Sequence, residues 1–453
     1  MTQTKSSTPI SKSTEVVLKN AFAAAVAVAD PQVIVPQYLA QIFPKGQEPK
    51  GRCLVVGAGK ASASMASAFE AYAKANWPQA KLEGLVLTRY GHNSPTSHIK
   101  IVEAGHPVPD QAGLDAARQI MDLISTLKAG DHLIALISGG GSSLLTLPAG
   151  DISIDDLRTL TQLLLRSGAP IEEMNIVRKH LSAIQGGHLA KKAVALGASV
   201  DAFIISDVTG DKPEDIASGP CAADPSTYAD ALNILGRYQL TQSNSGLPQS
   251  ITQHLELGIR GEIAETLKPN DPSLKKINNY VFATAAASLE AAANYCQEQG
   301  IQTIILGDSI TGEASKVAIE QAEIARKLIN DSLDRKAPIA IISGGECTVT
   351  IPKGVKGRGG RCSEFLLSLL IATQDLPELS AIAADTDGID GSEDNAGAWF
   401  TPEVRQFADA HKIEAKVDLN AHDAFGFFKK TNSLLHTGPT LTNVNDFRML
   451  LIQ

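Results

Sequence analysis

Glycine-flanked cations and hydroxyls are the groups in this chain best suited to chemistry, and the first set is Val55-Val56-Gly57-Ala58-Gly59-Lys60-Ala61-Ser62. An apolar run, a glycine turn and a helix-forming stretch follow one another, so backbone N–H groups and the positive end of a helix dipole converge where an anion is favoured. Lys60 adds a full charge there. The spacing matches neither G-x-x-x-x-G-K-[ST] nor G-x-G-x-x-G, because Ser62 stands where a third glycine would be. The plainer alternative is a tight turn permitted by Gly57 and Gly59 with Lys60 solvated. The next apolar run, GLVLTR, ends in Thr88 and Arg89 rather than in the acid that would hold an NAD ribose, although Arg89 keeps an NADP-dependent reductase open. A second group, Ser138-Gly139-Gly140-Gly141-Ser142-Ser143, follows the apolar run from His132 to Ile137. Three glycines allow close backbone approach and the serines supply donors, a combination suited to nucleotide phosphates. The G-x-S-x-G elbow of a serine hydrolase is missing.

Carboxylates cluster in two later loops, Asp207-Val208-Thr209-Gly210-Asp211 and Asp385-Thr386-Asp387-Gly388-Ile389-Asp390. Each follows a strand-like run, the place where a parallel sheet lines its ligand crevice, so Asp207, Asp211 and Asp387 are candidates to hold Mg²⁺ or accept a proton. The second is no EF-hand, since Ile389 occupies a position needing an oxygen. Ordinary Asp-Gly turns are the alternative for both. The most cationic loop runs from Lys353 to Arg361, where Arg358 and Arg361 offer planar forks for carboxylate or phosphate oxygens. Arg178 stands in another basic turn, Met174 to His180, whose histidine reads as structural.

These loops need elements to position them. Short β-type runs (CLVVG, GLVLT, HLIALIS, DAFIIS, YVFAT, TIILG, APIAIIS, SAIAA) alternate with helical patterns, which predicts an α/β fold of parallel βαβ units covered by helices on both faces. At 453 residues the chain exceeds the roughly 250 to 300 at which single cores stop growing, so two domains are expected. The polar, turn-rich stretch from Gly236 to Asn278 suggests domains of 1–240 and 241–453, with the first ~45 residues free to pack on either. LIALISGGGSSLLTLPAG and IAIISGGECTVTIPKG share a strand, Ser-Gly-Gly and a Thr-x-Pro exit, so each domain is expected to carry one phosphate-friendly loop.

Composition narrows the partners. Hydrophobic residues at 43% and charged residues at 20% are ordinary globular values. A net charge of −9 disfavours broad attachment to nucleic acid or an anionic membrane. Five scattered cysteines without a C-x-x-C pair suggest neither zinc nor disulfides. With no secretory signal and no long apolar run, a cytoplasmic protein is expected. Oligomeric state stays open, a homodimer being admissible.

Taken in order, VGAGKAS, EAGHPVPD, SGGGSSLL, MNIVRKHLS, SDVTGD, ASGPCAADPST, SGGECTVTI, GRGGRCSE, DTDGIDG and TNVNDFRMLLI resemble the glycerate 2-kinase family, some of whose members carry the older name hydroxypyruvate reductase. The resemblance covers the chain from about Lys19 onward. It implies an N-terminal Rossmann-like domain, a smaller C-terminal α/β domain, an active site in the cleft between them, and phosphorylation of D-glycerate by ATP with Mg²⁺. Carried over by position, it makes Lys60, Asp207 and Arg358 the catalytic candidates; Arg361 and Arg178, from the two basic stretches, are expected on the substrate. Where the family usually reads G-G-R-N-Q-E, this chain has Gly359-Gly360-Arg361-Cys362-Ser363-Glu364, which opens the question of a related hydroxy acid as acceptor.

Overall fold

The computed structural model describes residues 14–331, 337–352 and 354–453, so Lys353 of the basic loop lies outside the described residues. They form two compact units, one of residues 29–284 with 441–444, the other of the N-terminal segment through Val28 with 285–440 and 445–453.

The first unit is built on six strands: β1 Gly51–Ala58, β2 Ala80–Arg89, β3 Ile99–Ala104, β4 His132–Ile137, β5 Ser199–Ile205 and β6 Ile277–Ala283. Their order is β3-β2-β1-β4-β5-β6 and every neighbouring pair is parallel. Parallel strands must be buried on both faces, which explains why β1 and β4 read as unbroken apolar runs. Leu54, Val56, Leu133 and Ala135 enter one core cluster; Cys53, Val55, Ile134 and Leu136 enter another with Phe69 and Trp77. Strand order reverses between β1 and β4, so the loops leaving their carboxyl ends diverge and open a crevice.

The helix Ser62–Asn76 after β1 is tied to the sheet by Glu70, whose buried carboxylate accepts from the N–H groups of Ser97, His98 and Ile99 at the start of β3. Burial pushes this carboxyl up, but the N–H donors and Lys74 outweigh it and bring it down to about 2. A depressed carboxyl stabilises the folded state above its unfolded pKa and loses that contribution as pH falls towards the folded value. Acid titration of melting temperature should therefore show a loss between about pH 4.5 and 2 that is reduced in Glu70→Gln. Superimposable acid curves for the two proteins would remove Glu70 from this role.

The polar stretch expected to divide the domains near residue 240 is internal to the first unit; the changeover comes at Thr284 and Ala285. Its helix Gln249–Ile259 buries Ile251 and Leu255 against Leu160, Met174, Val177 and Leu235, in a helical layer with its own core. Polar turns between those helices resemble a linker in sequence because their apolar stripes are short.

The second unit departs from a parallel sheet. Strands β7 Gln302–Gly307 and β9 Ile339–Gly345 are parallel, whereas β11 Ser380–Asp385, β12 Gly397–Phe400, β13 Leu434–Leu435 and β14 Asp446–Ile452 join by antiparallel pairing, in the order β13-β12-β11-β14-β9-β7. Short strands β8 Gly312–Glu313 and β10 Cys347–Thr348 pair separately. All seven residues of β14 are buried between β9 and β11. Hydrophobic run length reports burial, not strand direction, so this mixed sheet was not readable from pattern. The two glycine loops also part company here: the one after β4 enters a helix, while Ser343-Gly344-Gly345 leads into the β10 bridge.

The apolar N-terminal segment is two helices, Thr14–Ala27 and Pro31–Ile42, of 14 and 12 residues, the second capped by Asp30. Neither reaches the ~20 residues of a bilayer span. The first packs in the second unit, with Phe22 5.9 Å from Phe447, and the second in the first unit beside Phe69.

Candidate functional site

At the carboxyl ends of β1 and β4 two glycine turns lock together. Gly59 has φ +146°, and a β-carbon there would fall 2.1 Å from Ser138 Oγ, so only glycine fits. The amides of this turn are consumed within the fold: Lys60 N–H donates to Gly139 O at 2.8 Å, Ala61 N–H to Ser138 Oγ at 3.0 Å and Ser62 N–H to Gly59 O at 3.2 Å. The expected anion cradle at residues 57–62 is therefore a clamp between strands, and Ser138 is its bolt rather than a ligand donor.

The open amides lie one loop further on. Among the described residues, the N–H groups of Gly139, Gly140, Ser142 and Ser143 donate to no protein acceptor. Gly140 is left-handed at φ +79°, and successive amides around such a residue form a concavity for anions. A β-carbon at Gly140 would sit 2.9 Å from His106 Nε2 and 3.4 Å from Lys60 Cγ. At Gly139 it would fall 1.9 Å from Asp207 Oδ2. Lys60, His106 and Asp207 thus surround this loop, and the three expected participants from β1, β4 and β5 are brought together.

Strain and hydrogen bonds hold the loop in shape. Ala217 and Ser218 are left-handed at φ +52° and +58°, a conformation costing of order 1 to 3 kcal/mol each. Ala217 presses on Gly141, and Ser218 Oγ meets Ser142 Oγ at 2.9 Å. Gln185 Nε2 donates to Ser142 O at 2.8 Å. Asn443 Nδ2 donates to Asp207 Oδ2 at 3.1 Å, fixing one carboxylate oxygen. Asn443, Gln185 and Ala217 had no assigned role from sequence; the only signal was that TNVND and ASGPC are motifs of the resemblance.

A cavity of about 500 Å³ opens beside the same loop, with Gly140, Ser142 and Ser143 in its lining. Its walls are largely apolar, from Pro107, Leu147, Leu157 and Leu160. Arg178 lines it without an acceptor among the described residues, and burial pulls its guanidinium below the usual arginine value. Nearby Lys179 is different: its ammonium is buried against Asp224 at 2.9 Å, a structural pair, and His180 Nδ1 lies 2.8 Å from Ile176 O.

The second unit carries its own charged centre. Arg361, expected on the substrate, spends its fork internally: Nε donates to Asp446 at 2.7 Å, Nη1 to Glu346 at 2.8 Å and Nη2 to Asp385 at 2.9 Å. Burial alone would lower its pKa, but the charges of Asp446, Asp385 and Glu346 raise it far beyond the normal value. Arg361 therefore anchors carboxylates of the protein, a correction to its substrate-binding role. Arg358 is half-exposed, bidentate to Glu393 at 3.1 and 3.2 Å, and stacks 4.6 Å from the Phe425 ring. Asp387 is buried, with one oxygen accepting from Ile389 N–H.

The Cys362 and Ser363 departure points inward. Asp390 caps the helix Arg361–Ala372, accepting from Cys362 N–H at 2.9 Å, Ser363 N–H at 2.8 Å and Ser363 Oγ at 2.6 Å. Burial raises the Asp390 carboxyl despite these donors and pushes the Cys362 thiol well up. Neither variant side chain presents a ligand-facing polar group, so this departure supplies no reason to change the acceptor.

Asp207 and Asp211 share the loop after β5, and Asp211 is left-handed at φ +53°. Among the described residues no three His, Cys, Asp or Glu side chains converge as a ready metal cage. Neither Asp207 with Asp211 in the first unit nor Asp387 in the second belongs to a preformed cage of that kind.

Similarity to known proteins follows the same architecture. Residues 17–256 match a family described as a domain of unknown function, DUF4147, and residues 339–446 match the MOFRL family. A putative hydroxypyruvate reductase of Agrobacterium vitis is 46% identical over 96% of this chain and 94% of its own length. A glycerate 2-kinase of Pyrococcus horikoshii is 37% identical over 94% and 92%. The crystal structure of a glycerate kinase from Thermotoga maritima superposes with a TM-score of 0.82 at 32% identity, covering 97% of this chain and 99% of that one.

Proposed function

Because the chain belongs to the glycerate 2-kinase family, we propose that it transfers the γ-phosphoryl group of ATP to the C2 hydroxyl of D-glycerate, giving 2-phosphoglycerate and ADP. The observation that carries this reading is the loop from Gly139 to Ser143, whose unspent amides lie beside Lys60 and Asp207 at the strand-order reversal. Phosphoryl transfer requires little covalent participation from protein, so catalysis rests on positioning and on charge. In this reading the amides of the loop hold phosphate oxygens. Lys60 offsets charge on the transferred group. Asp207, with one oxygen fixed by Asn443, accepts the proton of the C2 hydroxyl as the new O–P bond forms and the bond to the β-phosphate oxygen breaks.

Mg²⁺ needs only one or two carboxylates when phosphates and water supply its other oxygens, and Asp211, in the same loop as the base, fits that requirement. The absence of a three-residue cage among the described residues suits a metal that arrives on the nucleotide. Bound there, it would neutralise phosphoryl charge.

Incubating the pure protein with D-glycerate, ATP and Mg²⁺ should release ADP in proportion to acceptor. The phosphorus resonance of the product should couple to one proton, that on C2, rather than to the two on C3. No acceptor-stimulated ADP release would sink the proposal. The reductase reading is favoured by the name of the Agrobacterium vitis relative and by the dinucleotide-like strand order. Against it, the β1 turn has Ser62 for a glycine and no open amides at residues 60–62 for a pyrophosphate. Oxidation of NADPH by hydroxypyruvate in a parallel tube would support reduction, and none is expected.

A further inference from the structure

We propose that the cavity beside Gly140 holds the adenosine half of ATP, with Arg178 on the nucleotide's phosphates; this rests on the kinase reading and names a subsite within it. About 500 Å³ is a volume typical of pockets that enclose a drug-sized ligand, far more than a three-carbon acid needs. Its chemistry is also wrong for glycerate, every carbon of which bears oxygen. Leu147, Leu157 and Leu160 offer it nothing, whereas a purine face and ribose edge gain from such walls. Gly140, Ser142 and Ser143 line the cavity, so the open amides adjoin it.

Arg178 supplies the second, independent indication. Its side chain is partly buried and makes no ion pair among the described residues, so its guanidinium is available to an anion in the cavity. The other arginine on the cavity wall is engaged: Arg158 donates to Asp155 at 2.9 Å and to Pro109 O at 2.7 Å. Arg178 therefore serves the nucleotide rather than the glycerate carboxylate. Thr161, partly buried on the cavity wall in the helix Ile154–Ser167, is the position from which the space can be filled with least disturbance to the core.

Calorimetric titration of the full chain with ATP, adenosine and inorganic triphosphate tests this without turnover. Thr161→Trp should weaken ATP and adenosine by roughly tenfold or more and leave triphosphate unchanged. Arg178→Gln should weaken ATP and triphosphate and spare adenosine. In steady-state assays KM for ATP should rise in both, with KM for glycerate unmoved. Thr161→Phe is the smaller filler should the tryptophan variant fail to fold, folding being checked by circular dichroism. Folded filler variants with wild-type ATP affinity overturn the subsite, even if glycerate is phosphorylated normally. Should the wild type bind ATP but phosphorylate no glycerate, while Thr161→Trp abolishes binding, the subsite stands and the acceptor falls.

Discussion

Lys60→Ala lowers kcat for glycerate phosphorylation by roughly 10² to 10³, the effect of deleting one donor from a preorganised anionic transition state. Melting temperature should move little, because what locks the β1 turn to β4 is the backbone N–H of Lys60 on Gly139 O, which alanine retains. Separation of the two readouts is what makes the experiment decisive. A large activity loss with an unchanged melt places the ammonium in the reaction. A parallel loss of stability would place it in the scaffold, and wild-type kinetics would remove it from the mechanism altogether.

Arg361→Ala has the largest expected effect on stability. The guanidinium is the shared partner of Asp446, Asp385 and Glu346, and the first two side chains are only 1% and 7% exposed. Withdrawing it leaves buried carboxylates facing one another, at a cost of about 3 to 5 kcal/mol. For a chain of 453 residues that amounts to a fall of roughly 3 to 5 °C in melting temperature. Arg361→Lys should recover only part, since one ammonium cannot present three forked donors. A melt within a degree or two of wild type for Arg361→Ala would show that the three carboxylates do not depend on it. Arg358→Ala, by contrast, removes only a half-exposed pair with Glu393, and such pairs contribute little to stability.

The residues of the candidate site were legible as types, less so as bonds. Apolar runs ending in glycine announced β1 and β4, and the glycines at 59 and 140 do take backbone angles that side chains avoid. What periodicity could not convey is which donors remain open once strands pair. Lys60, Ala61 and Ser62 looked like an anion cradle, yet their amides are spent on Gly139, Ser138 and Gly59, while the loop at 139–143 keeps its own. Arg361 failed for the same reason: a fork reads alike in sequence whether it meets a ligand or three acids brought from Glu346, Asp385 and Asp446. Cys362 and Ser363 looked consequential until Asp390, 27 residues beyond the serine, was seen to absorb them. The cavity was invisible because its walls are one amphipathic helix, a proline turn and a basic turn far apart in the chain, none distinctive alone.

The placement of β14 bears on how the protein is made. Strands β9 and β11 cannot be joined until residues 446–452 have left the ribosome, and the helix Thr14–Ala27, emerging first, belongs to that same unit. At a synthesis rate of roughly 5 to 20 residues per second, this early helix waits about 20 to 80 seconds for the strand that completes its sheet. For the last part of that interval, about 5 to 20 seconds after β9 is made, β9 and then β11 present unpaired edges to other nascent chains, so chaperone demand should concentrate on the second unit and rise sharply when translation stalls before Asp446.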